Sequence, residues 1–137
     1  VIYDAIGVGK RVDWVLTLSW SIGTRLAWAL RVPARQGFNS AIDDLVALLG
    51  DRKIRELQFW CHGLSGGKLC CGKQRSWISE LNFEKLAGRF LPDGRIWFRS
   101  CSTAANGEGQ MLATALKAGI RFVAAHDGWI GHVQPGM

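Results

Sequence analysis

No internal repeat, low-complexity tract or long linker interrupts the 137 residues. Nothing therefore divides the chain, and its length is that of one domain able to bury a real core. Charge of one sign is never concentrated. Seventeen Lys and Arg against eleven Asp and Glu give a net charge of +6, yet they are scattered instead of gathered into a patch, which argues against a nucleic-acid footprint. Long uninterrupted apolar runs are missing too. The most apolar stretch, 14–32, carries Gly23, Arg25 and several hydroxyls; it makes a poor transmembrane span and lacks the layout of a signal peptide. Spaced cysteines of a disulfide framework are also absent. Cys70 and Cys71 are adjacent, Cys61 and Cys101 stand apart, and a chain of this size does not need such staples. All four are expected as reduced thiols, in a cytosol-like setting or in a protein delivered from a bacterium into a target cell. Because the sequence begins at Val1 without methionine, residues 1–137 are expected to be a single domain excised from a longer protein.

Apolar residues at 48% and charged residues at 20% fit an ordinary globular protein. Seven tryptophans point first to core packing and amphipathic surface. "DWVLTLSW", 13–20, reads as a strand or the start of a helix, and "TRLAWALR" as a helix stopped by Pro33. In "NSAIDDLVALLG" the residues Ile42, Leu45, Val46 and Leu49 share one helical stripe, with Ser40 as cap and Gly50 at the C-terminal turn. "IRELQFWC", 54–61, is a strand, and "GLSGGKLCCGKQR" after it a hairpin or loop. Phe83, Leu86, Ala87 and Phe90 mark a helix closed by the turn "LPDG". The strand "RIWFRS" follows, then a helix carrying Met111, Leu112, Ala115 and Leu116 and stopped at Gly119, then the strand "IRFVAA". This alternation predicts an α/β fold with a parallel sheet and right-handed crossovers.

Three motifs fail on inspection. "IGVGK", 6–10, would need glycine where Asp4 stands and Ser or Thr where Arg11 stands to be a phosphate loop. "SWSIG" places Ser19 where a nucleophile elbow around Ser21 needs glycine, and a His-Gly oxyanion segment would ordinarily precede it. Cys61, His62, Cys70 and Cys71 are soft metal ligands, but zinc sites favour pairs spaced C-x₂₋₄-C, and neighbouring residues seldom direct both side chains to one ion. No metal and no cofactor is expected.

His62 directly follows one strand and Cys101 follows the next clear one. In open parallel sheets ligands bind beyond the carboxyl ends of the strands, so a nucleophile and an acid/base are placed at the functional edge. Histidine first and cysteine second is the reverse of the papain order. The pieces "LQFWCHG" and "IWFRSCSTA", with "CSTAANGEGQMLATALKAGIRFVAAHD" running on, resemble the caspase-like superfamily of cysteine peptidases, nearest to bacterial caspase-like domains of large surface and secreted proteins and self-processing toxins. The likeness covers roughly residues 40–127. It implies a caspase-like, three-layer α/β fold with a mostly parallel central sheet. It further implies a cysteine endopeptidase with Cys101 as nucleophile and His62 as proton donor to the leaving amine. The oxyanion hole would be built from the backbone N–H groups of Gly63 and Cys101. Arg99 and Asp127 would line the substrate pocket: Arg99 there favours an acidic residue before the cut bond, Asp127 a basic one, and an internal Arg99–Asp127 pair is the alternative. Partners would be protein or peptide substrates, including the rest of the parent chain. A catalytically silent scaffold of the same fold is the competing expectation.

Overall fold

A computed structural model describes residues 1–5 and 30–128. In chain order the elements are β1 (Ile2–Asp4), β2 (Val32–Ala34), α1 (Phe38–Leu49), β3 (Ile54–Trp60), β4 (His62–Leu64), β5 (Lys68–Cys71) and β6 (Gln74–Trp77). Two 3₁₀ turns, Ile78–Glu80 and Phe83–Leu86, lead to β7 (Phe90–Arg99), α2 (Glu108–Ala118) and β8 (Phe122–Ala125). Five strands form one sheet in the order β2-β1-β3-β7-β8, every neighbouring pair parallel. The fold is α/β with a mostly parallel sheet. β4, β5 and β6 form a separate antiparallel sheet, which is the hairpin option for the glycine-rich stretch.

The steps from β2 to β3, β3 to β7 and β7 to β8 all move the same way across the sheet. Right-handed connections then bring α1, the 3₁₀ turns and α2 onto one face. The core agrees: Phe38, Ile42 and Leu45 of α1, Phe83, Leu86 and Ala118 pack with Leu57, Phe59, Ile96 and Phe98 of the central strands. Phe59 is the hub, stacked on Phe98 at 5.1 Å and meeting Phe38 and Phe83 edge-on at 5.8 and 5.7 Å. Such pairs add roughly 0.5–1.5 kcal/mol each beyond burial. On the opposite face of β3 and β7, in register, stand Glu56 and Arg95, Gln58 and Trp97, Trp60 and Arg99.

Several local expectations are corrected. Pro33 lies inside β2, not at a helix end; β2 is an outer strand that pairs with β1, where a missing N–H is tolerated. α1 begins at Phe38 behind Gly37, whose φ of 99° suits only glycine, so Ser40 lies within the helix instead of capping it. Gly50 does end that helix. The helix expected from Phe83 to Phe90 shrinks to a 3₁₀ turn, broken by Gly88 at φ +71°. "LPDG" lies within β7 as an irregularity: Ile54 pairs Phe90 and Glu56 pairs Arg95, two steps along β3 against five along β7. In α2 the inward stripe is Gln110, Thr114 and Ala118, spaced by four. Gln110 Oε1 accepts the Ser79 N–H at 3.0 Å, Thr114 donates to the Gln110 carbonyl, and Ala118 is fully buried. Of the expected stripe, Met111 packs against the core, whereas Leu112 and Leu116 are 62% and 73% exposed. The strand or helix start expected over 13–20, the Ser21 motif and residues 24–29 of the expected helix lie outside the described residues, as do residues 6–10 of "IGVGK"; Leu30 and Arg31 are described and are not helical.

Candidate active site

β1 and β3 are neighbours whose connections leave in opposite directions, which makes their carboxyl ends the switch point of the sheet. β3 ends at Trp60, Cys61 follows, and His62 opens β4. One strand over, β7 ends at Arg99 and leads through buried Ser100 to Cys101. Cys101 is partly exposed, while Cys61, Cys70 and Cys71 are buried free thiols. Burial drives the Cys61 thiol well above its ordinary pKa, with Asp4 adding to the effect. Burial and then Asp4 push Cys71 up to about 12, and burial raises Cys70 against the opposing pull of Arg75. Three thiols are thus held as inert SH groups.

The turn carrying Cys101 is unusual. Ser102 has φ 51° and Asn106 φ 55°, left-handed conformations that cost a residue with a β-carbon roughly 1–3 kcal/mol and persist where surroundings enforce them. The enforcement is visible on two sides. The Ser102 N–H donates to the Gly128 carbonyl and the Ala104 N–H to the His126 carbonyl, both at 2.8 Å. From the β4–β5 turn, the Gly66 N–H at 2.7 Å and the Ser65 hydroxyl at 3.0 Å both reach the Ala105 carbonyl.

His62 and Cys101 belong to segments in direct contact. A β-carbon at Gly63 would stand 2.8 Å from Ser100 Cβ, 2.5 Å from the Cys101 carbonyl oxygen and closer still to Thr103 Oγ1. Only glycine permits β4 to lie this near the Cys101 turn. His62 itself is half-buried, faces Cys70 across the β4–β5 ladder, and its Nε2 is shielded from solvent.

Arg99 is 8% exposed and lies between two indoles, its guanidinium 4.6 Å from the Trp60 ring and 4.4 Å from that of Trp97. Burial pulls its pKa below the ordinary guanidinium value, against the attraction of Glu56. Glu56 is already engaged: Arg95 donates to it, and so does Gln58, which accepts from the Trp60 indole at 2.6 Å. Asp127 is exposed. Its charge acts on His126, whose pKa is lowered by burial and by Arg99 and raised by Asp127.

Two groups escape a sequence reading. Asp4, fully buried at the end of β1, accepts the Gly72 N–H at 3.3 Å beside Cys71, whose thiol donates to the Ala34 carbonyl. The signal for it was "VIYD", an apolar start running into a carboxylate, where no strand was assigned. Thr103, also fully buried, sits beneath Cys101. Among the described residues no three or more His, Cys, Asp or Glu side chains converge as metal ligands would, and no helix is long and apolar enough to cross a membrane. In comparisons with known proteins the chain matches no family model, no curated protein and no solved structure.

Proposed function

We propose that the chain is a caspase-like, three-layer cysteine endopeptidase domain, with Cys101 as nucleophile and His62 as acid/base. One observation carries the reading. Of four thiols, three are buried and the partly exposed one, Cys101, occupies a strained turn at a strand's carboxyl end, pressed against the His62-Gly63 backbone. Strain at a residue flanking a thiol is a mark of functional sites.

The chemistry follows. The Cys101 thiolate attacks a peptide carbonyl carbon, forming a C–S bond as the carbonyl π electrons move to oxygen. The oxyanion is met by the N–H groups of Gly63 and Cys101. Protonated His62 gives its proton to the leaving amine as the C–N bond breaks, leaving a thioester. Water, losing a proton to His62, adds to the thioester and releases the acid and the thiolate. Substrates are proteins or peptides, the parent chain included. Arg99, on the same side of the sheet as Arg95, is the residue that would favour an acidic side chain before the cut bond.

The test is labelling with iodoacetamide at neutral pH, followed by peptide mapping. Cys101 should react ahead of Cys61, Cys70 and Cys71, and His62→Ala should slow it. Cys101→Ala should abolish cleavage of a peptide library while leaving the thermal transition in place. A Cys101 that labels no faster than Cys70 or Cys71 would sink the reading and leave a silent scaffold.

A further inference from the structure

Thr103 is two residues past Cys101, fully buried, and its hydroxyl sits among four backbone or side-chain groups of the site. Ser100 Oγ is in hydrogen-bond contact with it, the Ser100 carbonyl lies at 3.3 Å and the Cys101 carbonyl at 3.2 Å. Gly63 packs directly on the same oxygen.

Donor accounting limits what this network can do. A threonine hydroxyl has one proton to give and two lone pairs with which to accept. Two of its partners are carbonyl oxygens, which only accept. The Thr103 hydroxyl is within donating distance of the Ser100 and Cys101 carbonyls, and either hydroxyl can donate in the Ser100–Thr103 contact.

The geometric consequence concerns a different group. In a trans peptide the C=O of one residue and the N–H of the next lie in one plane and point opposite ways. The peptide unit that carries the Ser100 carbonyl also carries the Cys101 N–H. Holding that carbonyl from below aims the Cys101 N–H away from Thr103. The second peptide held by Thr103 joins Cys101 to Ser102, the residue at φ 51°. The same oxygen is the surface on which Gly63 rests.

We propose that Thr103 is a positioning residue of the oxyanion hole, its hydroxyl setting the orientation of the Cys101 N–H and the approach of Gly63 toward it. This rests on the peptidase reading above and adds to it a residue that never touches substrate. A well-placed oxyanion donor contributes on the order of 10²–10³ in kcat. Misaiming one while leaving it present should then lower kcat by about tenfold to a hundredfold.

The experiment compares the wild-type domain with Thr103→Val and Thr103→Ser in two reactions. Peptide hydrolysis develops charge on a carbonyl oxygen and needs the hole. Alkylation of Cys101 by iodoacetamide is a displacement at carbon with no oxyanion, and does not. Thr103→Val should lose about tenfold to a hundredfold in kcat with KM changed less than about threefold, and should alkylate at the wild-type rate. Thr103→Ser, which keeps the hydroxyl, should recover most of kcat. Equal cleavage by wild type and Thr103→Val overturns the proposal alone. So does a parallel fall in alkylation and cleavage that serine fails to rescue, because that pattern reports a collapsed turn. Absence of Cys101-dependent cleavage in the wild type, with Cys101 still the fastest-labelled thiol, overturns the peptidase reading and this proposal with it.

Discussion

Gly63→Ala places one methyl group where the structure has no room for it. The added carbon would meet Ser100 Cβ at 2.8 Å, the Cys101 carbonyl oxygen at 2.5 Å and Thr103 Oγ1 closer still. None of these is the free end of a flexible side chain. Ser100 and Thr103 are fully buried and tied to each other, and the turn is anchored by Ser102 to Gly128 and by Ala104 to His126. Relief requires β4 to move away from the Cys101 turn, which pulls on the Gly66 N–H to Ala105 bond. Overpacking of this kind costs typically 1–3 kcal/mol; with three contacts under 3.0 Å on restrained atoms, about 3 kcal/mol is expected. Urea denaturation should show a lower midpoint at unchanged slope. Thr103→Ala removes the nearest obstacle but leaves the Cys101 carbonyl, so the double variant should recover only part of the loss, a coupling of about 1 kcal/mol. Gly109→Ala is the control: nothing lies within 4 Å of the new carbon, and in α2 the change should stabilise by about 0.5–1 kcal/mol. If Gly63→Ala costs less than about 1 kcal/mol, or shows no coupling to Thr103, the two segments are not packed as described and the site loses its frame.

Phe59→Ala, at the hub of the ring cluster, should cost about 3–5 kcal/mol in the same denaturation assay. Leu116→Gln should stay within about 0.5 kcal/mol of wild type, because the side chain is 73% exposed; a large loss would mean that α2 packs by its leucines after all. Stability should also fall in alkali. Cys71 is raised from 9.0 to about 12 in the fold, so below pH 9 both states keep its proton. Between these values only the unfolded chain gives it up, and at pH 10 the native state should be about 1.4 kcal/mol less favoured through this thiol. Cys71→Ala should remove that part of the loss between pH 8 and pH 10. Arg99→Met keeps the stem between Trp60 and Trp97 but removes the cation, and should cost about 1–2 kcal/mol together with any preference for an acidic residue in a peptide library.

The strand Ile54–Trp60 and the Arg95–Arg99 part of Phe90–Arg99 were legible from Ile54, Leu57 and Phe59 and from Ile96, Trp97 and Phe98, the apolar residues that the burial of a central strand demands. The positions of His62 and Cys101, just past the ends of β3 and β7, were legible for a related reason: each follows such a segment at the edge where a parallel sheet binds ligands. The packing of α2 was not legible. Apolar periodicity assumes that a helix buries its largest side chains, but α2 lies against the 3₁₀ turns and β8, and there Gln110, Thr114 and Ala118 face inward beside Met111 while Leu112 and Leu116 do not. The turn "LPDG" had the right residues for a change of direction, yet the β7 ladder closes on both sides of it, something only the partner strand decides.

Thr103 is the sharpest case, because the reason for a threonine there is not local. In sequence it is one of several small polar residues after Cys101. Its hydroxyl is required only once β4 has brought Gly63 onto it and the turn has aimed two carbonyls at one point. A larger side chain would push β4 away, and an apolar one of the same size would take the hydroxyl contact from the Ser100 and Cys101 carbonyls. Small size is set by β4 and hydrogen-bonding capacity by the Ser100–Cys101 segment, and serine or threonine satisfies both together. Glycine beside the histidine and a hydroxyl two residues beyond the cysteine are therefore one feature, since neither residue type is needed without the other. A sequence that kept His62 and Cys101 but replaced either Gly63 or Thr103 by a bulky apolar residue should hold its thiol and lose its aim.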